Sequence, residues 1–319
     1  MKSSNIGGQA VLEGVMMKNK DSYAVAVRKP DGTIDVKVNK FRSITGNWSV
    51  LTRIPFIRGM FNFVDSLRLG ISSLNWSAQF FEEEEKSEEK DPVKSKKKDD
   101  IIMAFTMVVS FALAIGIFMI LPYFISNLFS KWVTSYNGRV LIEGIVRLVL
   151  FIGYVWGISL MDDIRRLYCY HGAEHKCINC IEHGLELNVE NVRKSSKEHK
   201  RCGTSFMLFV MVVGIVLLFF VRADSQIMRV LLRILLLPVI AGISYEIIRW
   251  AGNSDNPIVC ALSKPGLWLQ GLTTREPDDE MIEVGIASVE AVFDWRKYLK
   301  ENFGYVAEEK NSDLSERVS

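Results

Sequence analysis

The sequence has no marked excess of charge of either sign. Of its 319 residues, 39 are Lys or Arg and 37 are Asp or Glu, so the formal net charge is only +2. A protein that binds nucleic acid usually carries a clear basic excess. These totals therefore predict no specific nucleic-acid partner, and the positions of the charges are more informative than their sum.

A disulfide framework is also missing. The chain has five cysteines, an odd number at uneven spacing, and four of them lie between Cys169 and Cys202. In a reducing compartment such a cluster indicates either metal ligands or small buried side chains. Residues 1–8 lack the apolar stretch of a signal peptide, so we expect no cleaved leader.

Long stretches lack charge altogether. Ile101–Ser130 contains no charged residue, and about 20 apolar residues are enough to cross a bilayer as a helix. Three more apolar segments occupy Val140–Met161, Thr204–Val221 and Val230–Trp250. We therefore predict a membrane α-helical protein with four transmembrane helices, and we expect Pro122 to end or kink the first of them.

The basic residues predict an orientation. The loop at 162–203, between the second and third spans, holds eight Lys or Arg residues, whereas the other two connections hold two each. Basic loops stay on the cytoplasmic side of a membrane. We expect this loop and both termini to be cytoplasmic, with the bilayer as the first partner. The lysines at 94 and 96–98 are expected to meet anionic lipid headgroups.

The remaining segments predict a small cytoplasmic α/β unit built from the N-terminal region and C-terminal segments. Tyr23–Arg28 and Thr33–Val38 alternate around a turn and predict a hairpin, Ala10–Met17 predicts one further strand, and Phe56–Phe81 has the apolar spacing of an amphipathic helix. That helix is expected to pack on the hairpin or to lie on the membrane. Pro277–Lys300 predicts a second helix, after a loop at 253–265.

These observations divide the chain into five regions. They are an α/β region at 1–81, a charged linker at 82–100, the membrane region at 101–250, a cytoplasmic C-terminal region at 251–306, and a disordered polar tail at 307–319.

The strongest chemical motif lies in the basic loop, which also contains all four histidines. His171, Glu174 and His175 form the pattern H-x-x-E-H. On a helix, residues four apart share a face, so both imidazoles can bind one metal ion, typically zinc, with the glutamate as general base. The simpler alternative is a helix end at which histidines cap carbonyls and pair with acids.

The rest of the ligand set stays open. Candidates for a further ligand are Glu182, Glu186, Glu190, His199, Cys202 and Glu246. A competing interpretation is a closed structural zinc site, because Cys177-x-x-Cys180 followed by His199-x-x-Cys202 has suitable spacing. Cys177 and Cys180 can equally be small buried residues.

Several motifs in one order resemble the YqhQ family of bacterial membrane proteins. They are Gly7–Met17, His171–Lys176, Arg201–Phe206, Ala241–Glu246 and Leu269–Pro277. The resemblance covers about residues 5–290 and implies a multi-pass protein of the bacterial cell membrane. The family is uncharacterised or described as predicted metal-dependent enzymes, and its frequent proximity to translation genes implies a role in membrane-protein biogenesis.

The enzyme description carries over to His171, Glu174, His175, His199 and Cys202. The family pattern has other residues where this chain has Cys177 and Cys180, which weakens the structural zinc interpretation.

Three functions follow as hypotheses. The first is a metal-dependent membrane hydrolase in which Glu174 is the base and zinc or another divalent metal is held by His171 and His175, with the shell completed by the further candidates. The second is a scaffold or biogenesis factor that binds the translocon, the ribosome or other membrane proteins. The third is a transporter, which the few mid-span polar residues disfavour; Glu143 and Arg147, four apart, are expected to pair on one helix face.

Overall fold

The computed structural model describes residues 2–46, 50, 53–82, 92–221, 226–252, 254 and 256–306. The predicted disordered tail at 307–319 and residues 83–91 of the charged linker lie outside the described residues. Residues 92–100, which the sequence analysis assigned to the linker, instead form the start of a helix. Pro92 stands at the helix start, where its missing N–H costs nothing.

Four antiparallel strands form a meander with the spatial order β1-β2-β3-β4. The strands are β1 (Gly7–Val11), β2 (Gly14–Asn19), β3 (Ser22–Arg28) and β4 (Ile34–Lys40). The predicted hairpin is present as β3 and β4. Its turn closes with a hydrogen bond from Lys29 N to Thr33 O, and Gly32 adopts the positive φ of 84° that such a turn needs.

The single strand predicted over Ala10–Met17 is wrong. The chain reverses inside it, so that Val11 pairs with Gly14 and the two residues between them form the turn. Glu13 takes a positive φ of 49° there. A glutamate carries no turn signal, and the unbroken apolar pattern on either side hid the reversal.

The sheet is covered by helices on both faces. Along β2 and β3, Val15, Met17 and Ala26 point into one apolar core, and Met16 and Val25 point into another. This alternation is the two-residue period of a strand. The structure therefore contains a three-layer unit with helices above and below a four-stranded sheet.

Eleven α-helices are described. They are α1 (Ile57–Glu82), α2 (Pro92–Ile115), α3 (Leu121–Leu128), α4 (Tyr136–Ile158), α5 (Asp162–Glu182), α6 (Val189–Lys194), α7 (Gly203–Phe220), α8 (Gln226–Gly252), α9 (Pro257–Thr273), α10 (Asp279–Glu290) and α11 (Trp295–Phe303). Helix α1 covers one face of the sheet, and α5 with α10 covers the other.

Within the described ranges, four helical segments are long and apolar enough to cross a membrane. They are Ala104–Lys131, Tyr136–Ile158, Gly203–Phe220 and Ile234–Gly252. All four match the predicted spans to within a few residues.

Pro122 does not end the first span. The helix passes through one π-helical turn at Gly116–Ile120 and continues as α3. Proline removes one backbone hydrogen bond, and a wide turn just before it accommodates the ring. The carbonyl of Phe118 in that turn accepts a 2.9 Å hydrogen bond from Nε of Arg147, which also pairs with Glu143 at 2.8 Å as predicted.

The C-terminal region differs from prediction in two places. The predicted loop at 253–265 is wrong, because α9 begins at Pro257 and continues through Pro265. Asn256 caps its first turn, and packing against α7 compensates for the interior proline. The single helix predicted over Pro277–Lys300 is divided into α10 and α11, since Asp294 caps a new helix start.

Helix α1 joins the sheet to the membrane helices. Arg58 binds the carboxylate of Glu246 in α8, and Asn62 donates a 2.8 Å hydrogen bond to the hydroxyl of Tyr245. Further along, Leu69 packs into the core on one face of the sheet. The helix therefore packs on the sheet, which was one of the two predicted placements.

Candidate metal centre

The centre is built on α5, which is buried to an unusual degree. Every residue from Gly172 to Glu182 is buried, although the segment includes charged and polar side chains. Most of the predicted basic loop is therefore folded structure and not an open connection. Gly172 permits the tightest contact of this helix, because a Cβ there would lie 2.0 Å from the carbonyl oxygen of Arg275.

The two histidines of the motif are held by backbone carbonyls. His171 Nδ1 donates to Thr273 O at 2.8 Å, and His175 Nδ1 donates to Lys197 O at 2.6 Å. A carbonyl can only accept, so each Nδ1 carries a proton and each Nε2 is the nitrogen that could bind a metal. Fixing one ring nitrogen in this way orients the other toward a metal.

Cys202 supplies the third group. Its Sγ lies 3.3 Å from Nε2 of His171, and ligand atoms of His171, His175 and Cys202 all lie within 4.8 Å of one another. Among the described residues, this is the one group of three or more potential ligands so arranged. The three side chains together could hold a metal ion.

The position of Cys202 depends on the start of α7. The cysteine is the N-cap of that helix, and its Sγ accepts a 3.4 Å hydrogen bond from Thr204 N. His199, three residues before Cys202, is held by the side-chain amide of Gln270. Its Oε1 accepts a 2.9 Å hydrogen bond from His199 N, and its Nε2 donates a 2.8 Å hydrogen bond to His199 O. The position of Cys202 is therefore fixed by α7 and α9, two helices that are distant in sequence from His171 and His175.

The local electrostatics favour a cation. Burial by itself would raise the pKa of the Cys202 thiol, but His171 and His175 outweigh it and hold that pKa well below its ordinary range. Burial would lower the pKa of His171, yet Cys202 and Glu174 raise it to about 9. The pKa of His175 is raised by Glu174 and Cys202, also against the effect of burial. A thiolate and a carboxylate side by side attract positive charge.

Glu174 lies between the two imidazoles. Its Oε2 is 3.8 Å from Nε2 of His171 and 3.7 Å from Nε2 of His175. Strand β1 passes directly over it, and a Cβ at Gly8 would lie 2.6 Å from Glu174 Cγ. Only a glycine allows so close an approach, so the N-terminal motif and the histidine motif meet at this carboxylate.

A cleft of about 550 Å³ opens over the centre. His171, Glu174, His175 and Cys202 all line it. The other walls are formed by β1 and β2, the middle of α1 and the C-terminal end of α8. A small molecule can therefore reach the ligand atoms.

Five of the six candidates for a further ligand are outside the three-residue cluster, namely Glu182, Glu186, Glu190, His199 and Glu246. Glu186 is exposed and Glu190 pairs with Lys194. The carboxylate of Glu246 is bound by Arg58, which removes it from the site. Glu182 shares the face of α5 as predicted, but it lies seven residues further along and binds Ser4 and Arg201. His199 lines the cleft, although its Nε2 is 3.4 Å from Glu182 Oε2 and not in the three-ligand group.

The structural zinc site is not formed by the described residues. Cys180 Sγ bonds to the carbonyls of Leu185 and Glu186, and Cys177 Sγ packs against Gly285 in α10. Burial raises the pKa of Cys180 to about 12 and that of Cys177 well above its usual value. Both are small buried thiols, which was the alternative interpretation.

Sequence reasoning missed the groups that hold the ligands in place. Gln270 and the carbonyl of Thr273 belong to a segment singled out only within a family motif, and the Lys197 carbonyl carries no side-chain signal at all. Gly8 was noted as a possible close approach, but its partner could not be named. Contacts of this kind depend on tertiary distances.

Glu182 provides a test of how the segment before Cys202 is held. Burial would raise its pKa, but His199, Arg201 and Ser4 lower it from 4.5 to about 2. A carboxyl group with a lowered folded-state pKa stabilises the fold above the unfolded value, and the effect is lost as the pH falls through the folded value. We expect Glu182→Gln to reduce the free energy of unfolding by about 3 kcal/mol at pH 7, and by progressively less between pH 4.5 and pH 2.

Denaturant unfolding in detergent at several pH values measures this difference. Glu198→Gln, at an exposed position in the same segment, is the matched control and should change stability little. A loss of stability in Glu182→Gln that does not vary with pH would contradict the assigned role.

Comparisons with known proteins identify a family and a bacterial relative. A family model for a protein of unknown function (DUF1385) matches residues 54–295, which include the cluster and all four candidate spans. The uncharacterized protein YqhQ of Bacillus subtilis (strain 168) is 37% identical over 287 residues, covering 88% of this chain and 90% of that protein. No solved structure matches significantly. The chain is thus a member of the DUF1385 family of proteins of unknown function.

Proposed function

We propose that this protein is a metal-dependent hydrolase of the bacterial cell membrane, acting on a peptide or a lipid-linked molecule. The observation that carries the proposal is the convergence of two imidazole Nε2 atoms and one thiolate beside a buried carboxylate, at the wall of an accessible cleft. Catalytic zinc sites share this plan of three protein ligands and one open position.

The residues fit zinc better than a harder cation. Imidazole and thiolate are soft or intermediate ligands, whereas magnesium and calcium prefer oxygen. Both histidines donate their second nitrogen to a carbonyl, as ligands of zinc usually do. His171, His175 and Cys202 would hold the ion.

The proposed chemistry divides between the ion and Glu174. Zinc bound here would polarise the scissile group and acidify water. Glu174 then accepts the proton of the attacking water and passes it to the leaving group, as a general base and acid. Gly8 keeps β1 close to this carboxylate, which excludes bulk water from one of its sides.

Metal content is the first test. We expect about one zinc ion per chain in detergent-purified wild type and none in the His171→Ala/His175→Ala double variant, because two of three ligands are lost. Elemental analysis measures the ion. His183→Ala removes an exposed histidine from the end of the same helix and should leave the metal in place. Wild type without metal, even after incubation with zinc, would contradict the hydrolase and favour the scaffold alternative.

The role of Glu174 is tested separately. We expect Glu174→Gln to keep the zinc but to lower kcat by about 10²- to 10⁴-fold, because a general base is lost while the ligands remain. Hydrolysis of quenched peptides and of a fluorogenic phospholipid in micelles provides the measurement. Glu186→Gln, exposed on the segment after α5, is the control. A Gln variant as fast as wild type, or zinc-loaded wild type inactive on every probe, would count against the mechanism.

The proposed location of the centre is the cytoplasmic face, with both termini cytoplasmic. The concentration of Lys and Arg between the second and third spans supports this orientation. In intact cells, a membrane-impermeant maleimide should label Thr134→Cys, in the connection after the first span, and should not label Glu186→Cys. The reverse labelling pattern would show that the loop between the second and third spans lies outside the cell.

A further inference from the structure

Strand β1 lies at an edge of the sheet. Among the described strands, β1 pairs with β2 alone. Proteins usually block such an edge with charged residues, proline or a bulge. The opposite edge strand, β4, carries Asp35, Lys37 and Lys40, whereas β1 has the sequence GGQAV and pairs with β2 through five consecutive residues. The edge of β1 is therefore suited to accept another strand.

The register shows which backbone groups of β1 face this edge. In an antiparallel pair, successive residues direct their N–H and C=O groups alternately toward and away from the partner strand. The carbonyl of Glu13 accepts a 2.9 Å hydrogen bond from β3, so the next residue, Gly14, bonds to its partner Val11 in β1. By the same alternation, Gly8 and Ala10 point outward. None of the described groups forms a hydrogen bond with the N–H or C=O of either residue.

The cleft over the centre lies beside this edge. Its lining includes Glu174 and Ile178 of α5, on one face of the sheet, and Leu69 of α1, on the other face. A single cavity reaches both faces of a sheet by passing around its free edge. Residues 7–9 of β1 also line the cleft, and a Cβ at Gly7 would meet no atom within 4 Å. A chain that follows the edge therefore lies inside the cleft.

The edge and the candidate metal centre meet at Gly8. This outward-facing residue is also the one at which a Cβ would lie 2.6 Å from Glu174 Cγ. The carboxylate of Glu174 is in turn 3.8 Å from Nε2 of His171 and 3.7 Å from Nε2 of His175. A neighbouring strand lies about 4.8 Å from β1. The backbone of a strand added at Gly8 is therefore adjacent to Glu174 and to the potential metal ligands.

We infer that the substrate of this cleft is an extended segment of polypeptide that pairs with the edge of β1 as an additional strand. The inference rests on the proposed function and deepens it, because it selects a peptide over a lipid-linked molecule. Gly8 and Ala10 exchange hydrogen bonds with the peptide backbone. Hydrolysis at the centre adds the hydroxyl group of water to the peptide carbonyl carbon and breaks the C–N bond, and Glu174 returns the proton of that water to the departing amine.

A peptide also matches the other walls of the cleft. The side chains of an added strand point alternately toward the α5 face and the α1 face of the sheet. Both faces offer apolar side chains to them, from Ile178 in α5 and from Leu69 in α1. A lipid-linked molecule could fill the same apolar space, but it would not supply a donor and an acceptor for each outward residue of β1.

Calorimetric titration of the full-length protein in detergent tests the inference through binding and not through turnover. The probe is an acetylated tetrapeptide of alternating leucine and alanine with a C-terminal hydroxamate, which binds zinc and thereby fixes the register. Two isomeric analogues carry N-methyl groups on both leucine or on both alanine nitrogens. We expect one analogue to bind wild type about tenfold more weakly than the probe and the other to bind about equally, because only alternate N–H groups face β1.

A variant of β1 tests the protein side of the same contact. Ala10→Pro removes an outward N–H and keeps the hydrogen bonds to β2, since an edge strand tolerates proline where the N–H faces away from the sheet. Val38→Pro is the matched control, because Val38 faces outward on β4 and lies outside the cleft. We expect Ala10→Pro to bind the probe about tenfold more weakly while it retains zinc, and Val38→Pro to bind it as wild type does.

The possible outcomes separate this inference from the proposed function. Equal binding of the two analogues to zinc-bearing wild type would overturn the strand pairing and leave the hydrolase standing. Acetohydroxamate that binds as tightly as the peptide probe would do the same, since zinc alone would then account for the affinity. The comparison of analogues uses wild type only, so it decides the question even where the proline variant does not fold.

Wild type without zinc would reject the hydrolase. The tetrapeptide carboxamide and its two N-methylated isomers then replace the hydroxamates as probes. A difference in affinity between the two isomers would support the edge of β1 as a peptide-binding site without catalysis. Equal or absent binding of all three carboxamides would reject both proposals.

Discussion

The structure depends on one constraint, the burial of a polar helix. The segment Gly172–Glu182 of α5 is buried on all sides, and each of its charged or amide side chains must find a partner or pay a large desolvation cost. Lys176 and Asn179 donate to backbone carbonyls of residues 193–198. His175 donates to another carbonyl of the same segment, and Glu182 binds Arg201. The polar side chains of α5 thus hold the segment 193–202 against the helix through these hydrogen bonds and the ion pair.

The cluster of His171, His175 and Cys202 is a consequence of this packing. Because residues 193–201 pack along α5, Cys202 lies next to His171, at the position where α7 begins. The same backbone carbonyls that accept hydrogen bonds from the Nδ1 atoms of the two histidines also orient the rings, so that their Nε2 atoms face the thiol of Cys202. The N-terminal sheet then closes the site from above through Gly8, and α1 and α8 leave the cleft open toward the ends of the membrane helices.

Two errors of prediction have a tertiary origin and one has a local origin. The turn at Glu13 and the helix through Pro265 contradict local propensity, and contacts from elsewhere in the chain hold them, since Glu13 binds Arg166 and α9 packs on α7. The break before α11 is local, because Asp294 caps a new helix start. Glu246 was a reasonable ligand by its place near the inner end of a span, but Arg58 in α1 reaches it first. A single sequence cannot show which of several acids a distant arginine will bind.

The sequence by itself determined the membrane character and the helix face on which the histidine motif lies. Apolar runs of about twenty residues have few alternatives to spanning helices, and the spacing of His171, Glu174 and His175 places them on one face of any helix they form. Tertiary structure alone decided that Cys202 completes the group, that Glu182 and His199 support it from outside, and that Cys177 and Cys180 are buried thiols. These choices depend on distances of a few ångströms between segments far apart in sequence, and periodicity contains no information about such distances.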